Sequence, residues 1–412
     1  MKHKEYAGGP VPRYLLLGAT MFLTVFGLLM IYSASSISSY VKFHTSFHFL
    51  IPQALSVVIG TVLAVIAARF DYRRFQGSLG MQAWWVSVGL LIVTYVLGVV
   101  RGGARRWIPL GFVNLQPSEF AKIACVLVAA MLAVEWQRGR LETRTYLVRL
   151  GIFVGVPAVL IVFQPDLGTA ILLAIGVAIV LYLGGIEMRW VAAAGAILTA
   201  FGAFAIAIEP YRLERVVTAF NPWADPQHKG YQAVQALLAF GTGGIRGVGL
   251  GLSRQKFFYL PEAHTDFIFA IIGEELGLIG TLAVVAAFGV LLYAGVRIAM
   301  GSRDPYGKLV AGALTGMLTC QAALNMAAVT GVFPVTGKPL PFVSYGGSSM
   351  IVTMLCVGLI LSVSEYGARA PRAVRAATRN EEPARASSDE RRRDGGARVS
   401  GPRGSRTSRR RA

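Results

Sequence analysis

The chain has 412 residues, of which 54% are hydrophobic and only 15% charged, and its mean hydropathy is +0.56. Soluble globular chains carry far more charge than this, so the composition excludes that class and indicates an integral membrane protein. The formal net charge is +19, and basic residues are concentrated near the C-terminus.

Ten apolar segments are long enough to cross a hydrocarbon layer of roughly 30 Å as helices. We therefore predict an all-α polytopic membrane protein whose transmembrane domain covers 14–368, preceded by a polar head, 1–13. No small-residue cleavage site follows the first span, which favours a retained signal anchor. The predicted spans are 14–34, 49–68, 82–100, 117–134, 147–163, 167–183, 190–208, 267–295, 310–332 and 347–364.

The basic residues of the short loops predict the orientation, with both termini in the cytoplasm. The longest loop, 209–265, is then extracytoplasmic, lies between helices 7 and 8, and should have structure of its own, including a short amphipathic helix from Tyr231. The tail, 369–412, has fourteen arginines against five acids and is predicted to be disordered. A solvated tail that reinforces orientation is favoured over one that binds anionic lipid or a partner, and nucleic acid is an unlikely ligand.

One outer loop breaks the charge rule. It places Arg101, Arg105 and Arg106 between spans three and four, on the side where basic residues are scarce. Guanidinium groups suit phosphate oxygens, and Trp107 could stack on a ring or lie at the headgroup level. Pairing with local acids or lipid headgroups is an equal alternative for these arginines.

The even-numbered helices begin at the outer face, where their dipoles present a positive end. If these helices are neighbours, their starts would form a pyrophosphate site, although each residue taken singly also suits an ordinary helix terminus. The residues at these starts are Pro117, Glu119 and Lys122 for span four, Asp166 for span six, Asp266 for span eight, and Ser344, Gly346 and Gly347 for span ten.

Asp266 is a carboxylate at the membrane border, where such a group is costly to keep without a role. The helix after it carries small residues on the same face, which suits either a groove for a lipid chain or, more commonly, a close helix contact. Glu274 and Glu275 cannot face lipid, so they should point into the bundle or pair with a basic residue. The small residues are Ala270, Gly273, Gly277 and Gly280.

Six ordered motifs closely resemble the SEDS family of bacterial cell-shape, division and sporulation proteins, and the likeness covers nearly the whole membrane part. Residues 235–241, Ala263 and the pair Ile272 and Gly273 resemble the division branch more than the elongation branch. The arginine-rich tail matches no motif of the family. The six motifs are 106–108, 116–122, 164–169, 260–270, 273–277 and 341–349.

The resemblance implies a peptidoglycan glycosyltransferase that polymerises lipid II at the outer face of the cytoplasmic membrane. It also implies that the protein acts at the division septum, together with a class B penicillin-binding protein and other division or elongation proteins. Asp266 would be the general base of an inverting displacement, with His264, Thr265 and Glu274 tuning or positioning it. The expected lipid II and pyrophosphate contacts are Arg101, Arg106, Trp107, Lys122, Glu119, Ser344, Gly346 and Gly347.

No resident cofactor is expected, although magnesium or manganese could be held mainly by the substrate pyrophosphate. Two other classes fit part of the pattern: a lipid II flippase or transporter, and a non-enzymatic scaffold of the division machinery. An elongation-type polymerase is the alternative within the enzyme class. The acid with the best match lies at the outer border, whereas a transport site is expected near the midplane, and this favours the enzyme.

Overall fold

The computed structural model describes residues 6–101, 104–109, 114–193, 195–196, 200, 202, 218 and 220–368. Two short 3₁₀ turns, Tyr72–Gln76 and Pro222–Ala224, accompany the helices. The helices are α1 Pro10–Phe43, α2 Leu50–Arg69, α3 Ser78–Leu97, α4 Pro117–Gln137, α5 Thr143–Phe163, α6 Leu167–Leu183, α7 Tyr231–Gly243, α8 Ile268–Gly301, α9 Pro305–Val329 and α10 Gly347–Tyr366.

Nine of the ten predicted spans correspond to helices in the described part of the chain. Eight of these are long and apolar enough to cross a membrane, and α6 is a shorter apolar helix. The short helix predicted in the long loop is α7. Most of the seventh predicted span, 190–208, the loop residues 209–217 and the whole tail, 369–412, lie outside the described residues.

Helix α4 lies at the centre of the bundle and α5 at its periphery. In their most apolar windows, 94% of the residues of α4 are buried but only 22% of those of α5. Five alanines along α4 allow neighbouring helices to approach closely, as small residues do in membrane bundles. Helices α3, α5, α6 and α9 pack against α4, while α10 packs mainly on α2.

Helices α1 and α8 pack along each other, and each has 34 residues. At 1.5 Å per residue α1 is roughly 51 Å long, well beyond a hydrocarbon layer of roughly 30 Å, so it is tilted or extends past that layer. Helix α8 is interrupted at Gly277, whose φ of 64° is in the left-handed region that glycine adopts readily.

Protein fills the face of α8 that the sequence suggested as a lipid groove. A Cβ on Gly273 would lie 2.3 Å from the Phe240 ring of α7, and one on Gly277 would lie 2.4 Å from the main-chain nitrogen of Gly247. The close-contact interpretation of the small residues is therefore the correct one, and the expectation of a lipid chain along this face is wrong.

The predicted all-α class is confirmed, because the described residues are mostly helical; one small antiparallel sheet, which was not predicted, lies between α3 and α4. Its strands, β1 Val99–Arg101, β2 Ala104–Pro109 and β3 Asn114–Leu115, pair in chain order. The sequence Val-Val-Arg at 99–101, followed by Gly-Gly at 102–103, is a hairpin pattern. The sequence-based prediction considered only the arginines and Trp107 of this loop. The sheet carries Arg106 to the turn between α5 and α6.

Candidate active site

The starts of α4, α6 and α10 meet at one end of the bundle. The Gln116 side chain donates to Asp166 Oδ2 at 2.8 Å, and its main-chain N–H donates to Ser348 Oγ at 2.9 Å. Ser348 Oγ donates in turn to the Asn114 carbonyl at 2.5 Å. These helix starts, which the sequence alone could not show to be neighbours, are thus joined by hydrogen bonds.

Two carboxylates and two ammonium groups form a buried charge cluster just beneath these starts. Lys338 Nζ lies 3.1 Å from both Glu119 Oε1 and Asp166 Oδ2, and Lys122 Nζ lies 2.9 Å from Glu119 Oε2. All four residues are 4% exposed or less. Because the formal charges balance and each ion has a partner, the cluster avoids the large cost of an isolated buried charge.

Lys338 belongs to the segment between α9 and α10, and the sequence analysis did not single it out. It lies close to the start of α6 because residue 168 is glycine: a Cβ there would be 2.7 Å from Lys338 Cγ. Burial alone would lower the pKa of Lys338, but the Asp166 and Glu119 carboxylates outweigh it and raise that pKa. The lysine therefore stays charged at the cellular pH.

Asp166 caps α6, as its position in the sequence predicts, and accepts hydrogen bonds from the Thr169 N–H at 3.2 Å and the Thr169 hydroxyl at 2.6 Å. Burial would raise the pKa of Asp166, but Lys338 and then Arg106 hold it well below its usual range. A permanently charged carboxylate of this kind positions its neighbours but accepts no proton near neutral pH.

Asp266 lies half-buried immediately ahead of α8. Its main-chain carbonyl accepts a hydrogen bond from Asn325 Nδ2 at 2.9 Å, and the same amide nitrogen donates to the Lys338 carbonyl at 2.9 Å. Asn325 of α9 is 3% exposed. One buried amide thus ties the backbone of Asp266 to the segment that carries the cluster lysine.

His264 packs between two aromatic rings, with its ring centroid 4.3 Å from that of Phe49 and 5.7 Å from that of Tyr345. Its carbonyl accepts from the Tyr345 N–H at 2.9 Å. Burial lowers the pKa of His264, an effect that Glu262 opposes and Lys42 reinforces. The imidazole is therefore neutral at pH 7 and joins the segment before α8 to those before α2 and α10.

Thr265, expected beside Asp266 in function, bonds instead to Glu262: its hydroxyl lies 2.8 Å from Glu262 Oε2. Glu274, also predicted to act near Asp266, bonds instead to the segment before α8. Its carboxylate accepts hydrogen bonds from the main-chain N–H of Arg254 at 3.0 Å and of Gln255 at 3.3 Å, and from the Ser253 hydroxyl. Glu274 therefore anchors the segment 253–255.

The neighbouring Glu275 is fully buried and pairs with Lys256 at 3.3 Å. It also accepts from the hydroxyl of Ser33 in α1 at 2.7 Å. The expectation that Glu274 and Glu275 avoid lipid, pointing inward or pairing with a basic residue, is confirmed. Together they join the segment 253–256, α1 and α8.

Arg106 is half-exposed and uses its guanidinium to bridge the sheet to the α5–α6 turn, donating to the Gln164 carbonyl at 3.1 Å and to the Pro165 carbonyl. Its Cζ lies 6.0 Å from the ring centroid of the half-exposed Trp107. The side chain of Arg101 is outside the described side chains. Arg106 is thus partly engaged by backbone and lies next to the capping carboxylate Asp166.

The remaining residues expected around the substrate serve the local structure. Glu119 and Lys122 are each 2% exposed and pair with each other, so substrate would reach them only after a rearrangement. Ser344 Oγ accepts from the Leu340 N–H at 2.8 Å, the Gly346 N–H donates to Gln53 Oε1 at 3.0 Å, and Gly347 begins α10.

These features define a class: a helical membrane protein in which several helix starts surround buried ions at one end of the bundle. The cell cycle protein family, which groups FtsW, RodA and SpoVE, matches residues 13–369. The chain therefore belongs to this family, the SEDS family.

Curated relatives agree over most of the chain. It is 39% identical over 359 residues to a "Probable peptidoglycan glycosyltransferase FtsW" of Geobacter metallireducens, covering 86% of this chain and 95% of that protein. It is 40% identical over 360 residues to "Stage V sporulation protein E" of Bacillus subtilis, covering 86% and 97%. The chain is thus similar to both division and sporulation members.

Solved structures share the fold. The chain matches one from "Structural coordination of polymerization and crosslinking by a peptidoglycan synthase complex" with a TM-score of 0.69 and 28% identity, covering 85% of this chain and 97% of that one. It matches the rod shape determining protein RodA of Thermus thermophilus with a TM-score of 0.63 and 26% identity, covering 86% and 97%.

Proposed function

We propose that this protein is a peptidoglycan glycosyltransferase that polymerises lipid II at the outer face of the cytoplasmic membrane. The FtsW relatives, which are named as probable peptidoglycan glycosyltransferases, support the activity. The observation that carries the proposal is the position of Asp266, half-buried ahead of α8 and tied by Asn325 to the place where the other helix starts meet. A carboxylate held there can meet a lipid-linked sugar at the membrane border.

In the proposed reaction Asp266 is the general base. It accepts the proton of the acceptor sugar's 4-hydroxyl as that oxygen attacks the anomeric carbon of the growing glycan. The bond from the anomeric carbon to the pyrophosphate oxygen breaks, and the lipid pyrophosphate leaves with the bonding electrons. A single displacement without a covalent intermediate inverts the anomeric centre.

The pyrophosphate would lie near Arg106 and the positive ends of α4 and α10. Guanidinium groups and helix N-termini both stabilise the charge that develops on such a leaving group. The buried ion cluster supports this arrangement because it joins α4 and α6 to the segment leading to α10. Arg101, by its place at the end of β1, is proposed to assist Arg106.

A divalent cation, magnesium or manganese, would be held chiefly by the pyrophosphate oxygens. In the described part of the chain, no group of three or more His, Cys, Asp or Glu side chains is placed to hold a metal. When bound, such an ion would neutralise charge on the leaving group. The protein's own contribution is to orient the sugar and to take the proton.

A class B penicillin-binding protein is the proposed partner, acting with other division proteins at the septum. The structural match to a peptidoglycan synthase complex supports a crosslinking partner in general. The FtsW relatives favour division over elongation, and growth rescue in cells depleted of one or the other polymerase tests this choice.

The decisive experiment measures lipid II polymerisation by the purified protein, with and without its class B penicillin-binding protein. Asp266→Asn is nearly isosteric and should reduce glycan synthesis about 10²-fold to 10⁴-fold, the usual contribution of a general base. Glu187→Gln is the matched control, since this carboxylate is 64% exposed and pairs only with the exposed Arg189 among the described contacts, and it should retain wild-type activity. Normal polymerisation by Asp266→Asn, combined with lost lipid II translocation in vesicles, would instead favour the flippase.

A further inference from the structure

A basic cavity of about 540 Å³ lies at the other end of α3 and α4 from the ion cluster. Two loops line it: the 3₁₀ turn before α3 and the turn between α4 and α5. They contribute four arginines, Arg73, Arg74, Arg138 and Arg140, against one carboxylate, Glu135. The cavity thus has a strong excess of positive charge on the face that the charge rule assigns to the cytoplasm.

The turn that carries Arg138 and Arg140 is rigid. Gly139 has a φ of 70°, and its N–H donates to the Trp136 carbonyl at 2.9 Å while the Arg140 N–H donates to the Glu135 carbonyl at 3.0 Å. This pair of bonds is a Schellman motif, which closes the end of a helix. The hydrogen bonds fix the backbone from which Arg138 and Arg140 extend. Both side chains are exposed and line the cavity.

The opposite wall contains the start of α3. Its N-cap is Gly77, which provides no side-chain cap, and its first turn has no acidic residue, so the positive end of the helix dipole lies uncompensated beside the cavity. The Arg73 guanidinium donates to the Tyr366 carbonyl at 3.0 Å and lies 3.7 Å from the buried Asp304 carboxylate, which balances its charge. The Arg74 guanidinium lies over the Phe70 ring at 4.8 Å. Arg74, Arg138 and Arg140 therefore supply the excess positive charge of the cavity.

We propose that this cavity binds the phosphodiester headgroup of an anionic phospholipid of the inner leaflet. Guanidinium groups and helix N-termini bind phosphate oxygens, and negative lipids attract basic segments at this surface. Leu79 lines the edge of the cavity, and Trp85 and Val86 follow it along α3; all three are exposed and apolar, so acyl chains can lie against them. This site is independent of the glycosyltransferase proposal and lies at the opposite end of the bundle.

The alternative is that these arginines only obey the general charge rule, without forming a site. Arg144 and Arg149 of α5 distinguish the two, because they are exposed and basic but do not line the cavity. The test therefore compares Arg138→Gln/Arg140→Gln with Arg144→Gln/Arg149→Gln. Each variant removes two positive charges from exposed positions outside the proposed active site.

Native mass spectrometry of the purified full-length protein measures lipid affinity in a titration with phosphatidylglycerol or phosphatidylcholine, with and without added inorganic phosphate. We expect phosphatidylglycerol to bind more tightly than phosphatidylcholine. The cavity variant should bind it about 25-fold more weakly than the wild type, at about a factor of five per arginine. The control variant should bind like the wild type, and inorganic phosphate should not displace the lipid.

Equal losses in the two variants would overturn the proposal in favour of diffuse surface charge. A second outcome would overturn the lipid assignment: the wild type binds inorganic phosphate tightly, the cavity variant does not, and phosphatidylglycerol is not preferred over phosphatidylcholine. That result would identify a soluble phosphate compound as the ligand. The temperature at which each purified variant loses its monodisperse peak in size-exclusion chromatography after heating reports its folding, and it should match the wild type.

Discussion

Replacing Lys338 with methionine tests whether the ion cluster stabilises the site end of the bundle. Methionine preserves most of the volume but removes the charge that lies 3.1 Å from both Glu119 and Asp166. One buried negative charge is then left unbalanced, because Lys122 is the only cation remaining in the cluster. Breaking a buried ion pair in this way typically costs about 3–5 kcal/mol.

The assay is the temperature at which the purified protein loses its monodisperse peak in size-exclusion chromatography after heating. A cost of that size should lower this temperature by about 5 °C or more. Arg189→Gln is the control. The Arg189 and Glu187 side chains of its ion pair are 71% and 64% exposed, and an exposed pair contributes little to the free energy of unfolding. Its temperature should match that of the wild type.

A double variant separates charge imbalance from simple loss of packing. In Lys338→Met/Asp166→Asn the cluster again has equal numbers of positive and negative groups. We therefore expect the double variant to be more stable than Lys338→Met, even though it has one more substitution. The reasoning is refuted if Lys338→Met melts like the wild type, or if the added Asp166→Asn lowers the temperature further.

Three further substitutions test other parts of the structure with the same heating assay. Burial lowers the pKa of His264 below its usual 6.5, so the stability that the neutral ring contributes is present above pH 6.5 and is lost as the pH falls. Between pH 7 and about pH 5.5, the melting temperature of the wild type should therefore fall more than that of His264→Phe. Equal pH dependence of the two proteins would contradict this. Gly247→Ala should destabilise by roughly 1–3 kcal/mol or more, because its φ is 78° and a Cβ would lie 2.2 Å from a carbonyl oxygen of α8. Gly251→Ala has a φ of 79°, but its Cβ would meet only Lys256 Nζ at 4.0 Å, an ordinary contact; it should cost less and isolates the backbone strain from the clash. Tyr72→Phe removes a 2.8 Å hydrogen bond to a buried carboxylate and should cost about 1–3 kcal/mol, whereas the exposed Tyr293→Phe should cost nothing measurable.

Local patterns in the sequence predict the helices well and their limits less well. Long apolar runs identify the nine described spans because a membrane helix must satisfy its backbone internally and face lipid outside. Helix α1 nevertheless continues to Phe43, well past the predicted end at residue 34. Its last turns are serine-rich and would not be recognised by hydropathy; just before them, the Ser33 hydroxyl donates to Glu275 of α8 at 2.7 Å.

The site shows the same limit. The Glu119–Lys122 pair and the Asp166 cap follow from spacings of three or four residues, which a helix brings together. Lys338 could not be found in this way, because its partner Glu119 is 219 residues away in the chain. Asn325 is likewise an ordinary polar residue within a span until the structure brings it against the carbonyl of Asp266.

The two carboxylates of α8 bear on how the chain is assembled in the membrane. A charged residue in an inserting helix costs up to about 2.5–3.5 kcal/mol, the value at the helix centre, when nothing compensates it. Each described side-chain or amide partner of Glu274 and Glu275, from Ser33 to Lys256, precedes them in the chain. Those partners are therefore synthesised before α8, so α1 and the segment 253–256 are already present when the two charged side chains reach the bilayer. Synthesis from the N-terminus thus lets each carboxylate exchange water for its permanent partners without waiting for later segments.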